Sequence, residues 1–350
     1  MRQSSLVSTD GVGATSIKGN ITIKGDDVTN VTIEGFTIDG KVEGPAGFDP
    51  QAIFEDNVFP EGSRIIGNKI MVPAAETVYN LRTGDEYECI QSAVSEAELG
   101  DTILVGSGTY EEDLVIAVEN LTLVSVEKHA AIIETQGDFE PGLGYGGITI
   151  LADGVTIDGF KIKQSVAQAI VHTHNADGVT IKNNSISGIE PSRGIDIGYA
   201  SAGSNSVTVE GNEFADLYCG VYVNQGNNLV VESNVFNGMN GGAVVFDGTW
   251  GNTNNITVKD NEAKGAEYLL YFYDAIGSVA VEGNDLTNTK LSNYGVYNSE
   301  LGKYFPTLQA AVGAASTGDT LLVAPGDYDE ILEVKNKSLT IVGLDKENTK

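Results

Sequence analysis

The chain has 350 residues, a formal net charge of −29 and only two cysteines, Cys89 and Cys219. Such an acidic chain repels nucleic acids and anionic membranes. We therefore expect no nucleic-acid partner. No apolar run approaches the roughly 18 residues of a membrane-spanning helix, so we expect no membrane insertion within this segment. Two distant cysteines cannot supply a disulfide framework.

Residues 1–77 resemble the end of a structural unit whose own start is missing. The four residues at 65–68 (IIGN) precede Val78 much as those at 281–284 (VEGN) precede Val296. We therefore interpret 1–77 as the C-terminal coils of a preceding unit.

A new unit begins at residue 78, because the sequence from this point returns 218 positions later. The tripeptide at 78–80 (VYN), for example, reappears at 296–298. The repeat predicts a complete unit over 78–295, followed by the cap and first strands of another unit over 296–350. Tandem copies of this kind build length or a multivalent surface.

Each unit start predicts a short helix followed by a strand. In the first copy we expect a cap helix near 88–99, with Ile90 and Val94 on its apolar face and Gly100 as its C-terminal stop. The second copy repeats this pattern and stops at Gly318. A solenoid end exposes strand edges and core side chains, so a helix there would cap it.

Short strands then recur every 22 to 28 residues, beginning at Val155, Val179, Val207, Leu229, Ile256 and Val279. They alternate apolar and polar residues, as half-buried strands do. A second series begins at Ile170, Ile195, Val221, Val244 and Leu270. The pattern predicts a solenoid with one coil per repeat.

Asparagine occupies one corner of five successive coils, at Asn184, Asn212, Asn234, Asn261 and Asn284. Asparagine tolerates the left-handed backbone of tight corners, and stacked amides can hydrogen-bond along a solenoid axis. We assign this row a structural role and call it the asparagine ladder.

These strand–corner repeats and the unit start at 89–112 resemble the right-handed parallel β-helix proteins of the pectin-lyase-like superfamily, in the style of tandem-repeat prokaryotic surface proteins. The resemblance covers nearly the whole chain. It implies an all-β, right-handed parallel β-helix with coils of about 22–28 residues and short helical N-terminal caps, arranged in tandem units.

The resemblance does not specify an activity, because the superfamily contains lyases, hydrolases, esterases, epimerases, adhesins and surface proteins. The Gly-His-Gly motif of its galacturonan hydrolases and the Gly-x-x-Asp-Phe-x-x-Gly segment of its methylesterases are both missing. A lyase would need a base such as Arg193 near acids such as Asp196, but such a pair is commonly a surface ion pair. We assign no catalytic residue.

Two patterns could bind a metal. His172 and His174 point to one side of a strand, although the expected stacking puts His172 level with Ile197 and towards the core. Acidic residues follow the first strands of each unit: Glu111, Glu112, Asp113, Asp329 and Glu330. Their carboxylates could bind Ca²⁺, the one possible cofactor, or could simply be solvated side chains at a corner of the solenoid.

A third candidate is the outward face of the second strand series. If Ile195 and Val221 point inward, the adjacent outward rows are Val171, Asp196, Tyr222, Val245 and Tyr271, then Thr173, Gly198, Asn224, Asp247 and Tyr273. Tyrosines among Asp and Asn suit a polysaccharide or a partner subunit. This face is the predicted glycan- or partner-binding surface.

Our preferred prediction is a non-enzymatic, extracellular or cell-surface structural protein. Its tandem β-helices would self-associate end to end or laterally into a surface layer, sheath, stalk or filament. The alternative is a carbohydrate-active protein, either a polysaccharide lyase-like enzyme or a glycan-binding adhesin. That alternative depends on fold-level analogy and on the tyrosine-rich face.

Overall fold

A computed structural model describes residues 4–7, 15–24, 31–45, 48–55, 57, 59, 63–66, 69–71, 76–137, 147–164, 169–198, 203–249, 253–273 and 276–344. The N-terminal part contains β1 (Ser4–Val7), β2 (Thr15–Lys18), β3 (Ile21–Thr22), β4 (Val31–Glu34), β5 (Phe36–Asp39), β6 (Val42–Glu43), α1 (Pro50–Glu55), β7 (Arg64–Ile66) and β8 (Lys69–Met71).

The central unit begins with β9 (Val78–Asn80), β10 (Glu86–Tyr87), α2 (Ile90–Ser95), β11 (Thr102–Val105), β12 (Gly108–Tyr110), β13 (Leu114–Ile116), β14 (Thr122–Ser125), β15 (Ala131–Thr135), β16 (Ile148–Ile150), β17 (Thr156–Asp158), β18 (Lys161–Gln164), β19 (Ala169–Thr173), β20 (Thr180–Lys182), β21 (Ser185–Ser187) and β22 (Arg193–Ile197).

It continues with β23 (Thr208–Glu210), β24 (Glu213–Ala215), β25 (Cys219–Val223), β26 (Leu229–Glu232), β27 (Val235–Asn237), β28 (Gly242–Phe246), β29 (Ile256–Lys259), β30 (Glu262–Lys264), β31 (Tyr268–Phe272), β32 (Val279–Glu282), β33 (Asp285–Thr287) and β34 (Lys290–Ser292). The last segment contains β35 (Val296–Asn298), β36 (Lys303–Phe305), α3 (Leu308–Ala314), β37 (Thr320–Val323) and β38 (Thr340–Gly343).

Three parallel sheets run along the central unit, because each coil contributes one strand to each sheet. Sheet 1 contains β11, β14, β17, β20, β23, β26, β29 and β32 within a longer run of strands. Sheets 2 and 3 have eight strands each, from β12 to β33 and from β13 to β34 respectively. The chain is therefore a parallel β-helix, and the predicted all-β solenoid is confirmed.

The core is a set of stacked apolar rows between the three sheets. Sheet 1 contributes Leu123, Ile157, Ile181, Val209, Val231, Val258 and Val281, in register from coil to coil. Aromatic rings stack in the later coils, with centroids 5.0 Å apart for Phe214 and Phe236 and 5.1 Å for Phe246 and Phe272. Full burial of such side chains stabilises a fold by about 1.5–3 kcal/mol each.

The asparagine ladder lies at the corner between sheets 1 and 2. The amide oxygen of Asn212 accepts hydrogen bonds from the backbone nitrogen and the side-chain amide of Asn184, at 2.9 and 3.1 Å. The same pair of bonds continues through Asn234 and Asn261 to Asn284. Each side-chain nitrogen also reaches a backbone carbonyl, so these buried amides are satisfied.

A second polar ladder, not noticed in the sequence, lies at the entry to sheet 1. It contains Asp153, Asp177, Asn205, Asn227 and Asn254, and each side-chain oxygen accepts the backbone nitrogen of the next member. The sequence does contain a signal for this ladder, since an Asp or Asn stands two residues before the first apolar residue of each strand. The residue between that Asp or Asn and the apolar residue has a positive φ, as at Ser206 (55°) and Asn228 (57°).

The described residues of the N-terminal part form two coils. Strands β1, β2 and β3 pair in parallel with β4, β5 and β6. Strand β7 forms an antiparallel hairpin with β8, whereas β32 pairs in parallel with β29 and antiparallel with β36. The interpretation of 1–77 as the end of a preceding unit stays a prediction. Residues 67 and 68 themselves lie outside the described part.

The cap helices are shorter than the sequence pattern indicated. Helix α2 lies within the predicted stretch 88–99 but ends at Ser95, and the cap residue is Glu96. Gly100 and Gly318 have positive φ values of 79° and 99°, yet they occupy the turn before the next strand. They are therefore not the helix stops that we expected. None of the described helices is long and apolar enough to cross a bilayer.

Candidate functional site

The outward face of sheet 3 is covered, although we predicted an exposed surface. Cys219, Tyr222 and Val245 point away from the core but are buried, with Tyr218 and Tyr271 packed against them. This small second apolar layer lies outside the β-helix core. The predicted flat binding face is therefore partly buried, and only its uppermost side chains reach solvent.

The register of this face differs by one residue from the prediction in its first coil. Val171 pairs with Ile195, and His172 pairs with Asp196. His172 therefore precedes Asp196, Tyr222, Val245 and Tyr271 in one outward row, whereas we had placed it level with Ile197. A slip of one residue exchanges the two faces of a strand, and the adjacent apolar residues Ile170 and Val171 left the choice of face ambiguous in this coil.

Arg193 joins the residues of this face. Its guanidinium lies 3.6 Å from the ring centroid of Tyr222 and donates to Oδ2 of Asp196 at 3.2 Å. The Tyr222 hydroxyl donates to Oδ2 of Asp247 at 2.8 Å. Asn224 is buried and donates to the carbonyl of Gly198. The predicted residues Asp196, Tyr222 and Asp247 thus form one bonded group, and Asn224 serves the backbone.

Protonation in this group follows from burial. Burial raises the pKa of Asp196 to about 6, against the opposing effect of Arg193. Burial lowers the pKa of Arg193, but Asp196, Tyr222 and Cys219 together have the larger opposite effect, and the net pKa is raised. A guanidinium held protonated in this way is a poor base, so we assign Arg193 no role as a proton acceptor. In this group Arg193 contributes an ion pair to Asp196 and a cation–π contact to Tyr222.

The two histidines lie on this face as well. The ring centroids of His172 and His174 are 5.9 Å apart, and burial lowers the pKa of His172 to about 4. His172 is therefore neutral at physiological pH. Among the residues that the structure describes, no group of three or more His, Cys, Asp or Glu side chains could hold a metal ion.

Four tyrosines form the upper surface of this face, and we call them the tyrosine platform: Tyr218, Tyr268, Tyr271 and Tyr273. Tyr271 meets Tyr273 edge to face with centroids 5.0 Å apart, and the hydroxyls of Tyr218 and Tyr273 are 2.7 Å apart. Tyr271 and Tyr273 were predicted from the sequence, whereas Tyr218 and Tyr268 were not. The ring of Tyr218 lies over Gly241, where an added Cβ would be only 2.7 Å from that ring. The Gly241-Gly242 pair in the sequence was therefore a usable signal that a large side chain packs on this backbone.

A different kind of site lies where one unit meets the next. The hairpin of β35 and β36 is inserted between β32 of the central unit and β37 of the following unit. Strand β36 pairs with β32, and β35 pairs with β37, both antiparallel. Sheet 1 is therefore continuous across the junction and has 14 strands in all.

Tyr304 of this hairpin closes the core of the central unit. Its ring is almost fully buried and stacks on Phe272 with centroids 4.7 Å apart. Its hydroxyl accepts a hydrogen bond from Ser292 at 3.0 Å. This role of Tyr304 was not predicted from the sequence.

Three of the five acidic residues proposed as Ca²⁺ ligands accept backbone hydrogen bonds. The two carboxylate oxygens of Glu112 accept the backbone nitrogens of Ile90 and Gln91 at 2.8 Å, and Glu330 does the same for α3. Asp113 accepts the backbone nitrogens of residues 136 and 137. Glu111 and Asp329 are exposed. The carboxylates of Glu112, Asp113 and Glu330 are thus directed at separate backbone segments, and Ca²⁺ binding at these residues stays a prediction.

Comparison with known proteins gave three findings. The family model described as "Right handed beta helix region" matches residues 116–304. An alginate lyase from Paenibacillus sp. str. FPU-7 is structurally similar with a TM-score of 0.38 and 14% sequence identity, over 58% of this chain and 93% of that chain. No curated protein sequence matches this chain.

Proposed function

Because the chain belongs to the right-handed β-helix family, we propose that it is a non-enzymatic structural protein in which tandem β-helices join into a rigid rod. The observation that carries this proposal is the junction hairpin. A flexible linker would let two modules rotate freely. A hairpin that pairs with a strand of each module instead makes sheet 1 continuous from one module to the next.

Two further contacts support a rigid junction. Tyr304 seals the end of the central core from the side of the following unit, so separating the units would expose Phe272. At the start of the central unit, Lys41 of the preceding coils forms an ion pair with Glu86 at 2.8 Å and lies 4.0 Å from the ring centroid of Tyr79. Both ends of the central unit therefore contact their neighbours.

A structural role at the cell surface also agrees with the acidic composition. Repeated modules with a net charge of −29 stay soluble while they extend, and they suit an extracellular location. Self-association of such rods, end to end or laterally, belongs to the same proposal. The alternative, a carbohydrate-active protein, would in its lyase form need a proton acceptor other than Arg193, whose guanidinium is paired with Asp196.

Negative-stain electron microscopy with light scattering tests the proposal. Sheet 1 has 14 strands, so its strand spacing of about 4.8 Å gives a straight segment of about 60 Å. We expect straight rods, and ordered fibres or sheets at higher concentration, equally with Ca²⁺ and with a chelator. Particles bent at varying angles between residues 282 and 296, or monomers at every concentration, would contradict it.

A further inference from the structure

A cleft of about 650 Å³ opens beside the tyrosine platform. It is lined by Met239, Asn240, Gly265, Ala266, Glu267, Asn288, Thr289 and Lys290. Its wall contains amide, hydroxyl and carboxylate groups together with two small apolar residues. Its volume is in the range that accommodates small organic ligands.

The cleft and the platform form one surface. Tyr268 directly follows Glu267 in the chain, and the ammonium of Lys290 lies 5.1 Å from the ring centroid of Tyr268. Rings then continue from Tyr268 to Tyr271, at 5.8 Å between centroids, and from there to Tyr273. A chain-like ligand lying in the cleft would therefore run onto a row of aromatic rings.

The platform is held in place from beneath, so it is preorganised. Tyr271 packs on the buried layer of Cys219, Tyr222 and Val245. Tyr273 is 53% exposed, yet its hydroxyl is fixed by Tyr218. Aromatic side chains fixed in this way lose little conformational entropy when a ligand stacks on them.

The charges decide between ligand classes. The chain repels polyanions through its net charge of −29, and the surface contains the carboxylates of Glu267 and the nearby Asp247 as well as the exposed ammonium of Lys290. Arg193, the nearest guanidinium, is already paired with Asp196. An acidic polysaccharide would meet a net repulsion, whereas uncharged hydroxyls would meet hydrogen-bonding partners.

We propose that the cleft and the tyrosine platform together bind a neutral, hydroxyl-rich oligosaccharide or polysaccharide. The sugar rings stack on Tyr268, Tyr271 and Tyr273, and their hydroxyls bond to the amide and carboxylate groups of the cleft. This binding site lies in the last coils of the central unit, next to the second junction, but none of its residues belongs to the junction hairpin. It therefore adds a function to the rod.

Isothermal titration calorimetry with soluble neutral oligomers (cellohexaose, xylohexaose and mannohexaose) tests the site, with oligogalacturonate as the acidic probe. We expect at least one neutral oligomer to bind. Tyr273→Ala should then weaken binding about tenfold, since one stacking contact is lost. Tyr273→Phe keeps the ring and should retain most of the affinity.

Leu99→Ala is the matched control, because Leu99 is a 67% exposed apolar residue on the cap far from this face. It should leave binding unchanged, and circular dichroism should show both Tyr273 variants folded. The proposal fails if no neutral oligomer binds, or if Tyr273→Ala binds as well as the parent chain. It also fails if oligogalacturonate binds more tightly than every neutral oligomer.

Discussion

The two unit junctions use the same set of contacts with different side chains around them. Asn80 and Asn298 donate to Asp101 and Asp319 at 2.8 and 2.9 Å, in positions 218 residues apart. Glu112 and Glu330 hold the two helix starts with the same pairs of bonds. The hairpin, the helix and these acids are therefore the parts that define a junction.

The differences concern how firmly each junction is closed. Position 304 is the buried Tyr304 in the second junction, whereas its counterpart in the first is the exposed Glu86. Asp101 is additionally bound by Arg82, whose counterpart is Glu300. The second junction is closed by apolar burial and sheet pairing, and the first by charge pairs at the surface. The same arrangement of hairpin, helix and acidic residues is therefore compatible with an apolar closure and with a charge-paired closure.

The largest expected effect on stability distinguishes the apolar closure of the second junction from the charge-paired closure of the first. Tyr304→Ala should destabilise the central unit by about 3–5 kcal/mol, because a large cavity opens beside Phe272. Glu86→Ala, at the equivalent position, should cost less than about 0.5 kcal/mol, since the Lys41–Glu86 pair is exposed on the Glu86 side. Urea unfolding measures both. Equal losses would show that the two junctions are closed in the same way.

The second prediction concerns pH. The hydrogen bond from Arg82, opposed by burial, lowers the pKa of Asp101 from 3.8 to about 2. A depressed pKa gives stability that is present above pH 4 and lost as the pH falls through about 2. Asp101→Asn should therefore cost about 2 kcal/mol at pH 7 and almost nothing near pH 2.

Asp319→Asn is the matched variant for the second junction. The pKa of Asp319 is also lowered, mainly by Asn298, but no arginine binds it. We expect a smaller loss at pH 7 with the same direction of pH dependence. A loss for Asp101→Asn that stays constant from pH 7 to pH 2 would contradict the role assigned to its charge.

The third prediction concerns what the junctions share. Glu112→Ala and Glu330→Ala should each cost about 1–2 kcal/mol, because two helix-start nitrogens lose their acceptor. The loss should be the same with Ca²⁺ and with a chelator. Thermal unfolding in both buffers provides the measurement, and a loss seen only in the presence of Ca²⁺ would support the predicted calcium sites.

The smallest effect concerns the helix N-caps. Thr307 accepts a hydrogen bond from the backbone nitrogen of Ala310, whereas Cys89 makes no side-chain cap bond. Cys89→Thr should therefore stabilise the first cap by about 0.5–1 kcal/mol, and Thr307→Cys should destabilise the second by a similar amount. Equilibrium unfolding in urea checks both, and no gain for Cys89→Thr would show that the two caps are not equivalent.

The fold could be predicted from the sequence because every coil repeats the same residue pattern. Alternating apolar residues and a corner asparagine recur at a nearly fixed spacing, so each repeat supports the assignment of the others. The cap helix was found but its end was misplaced, since Gly100 serves the turn that follows.

The candidate site was less accessible to sequence reasoning. The outward row was identified through Asp196, Tyr222 and Tyr271, but its burial was not foreseen. Burial there depends on Tyr218 folding back over Gly241, a contact between different coils that local periodicity does not encode. The capping role of Glu112 was missed for the same reason, because its partners lie 21 and 22 residues earlier in the chain.

Hydrogen exchange at the second junction tests the central claim most directly. Strand β36 pairs with β32 through Val279–Tyr304 and Ala280–Lys303, so its amides belong to sheet 1. We predict that peptides covering residues 296–305 are protected as long as peptides from β26 and β29. Exchange of this hairpin within seconds, with the flanking strands still protected, would show a flexible linker and contradict the rigid rod.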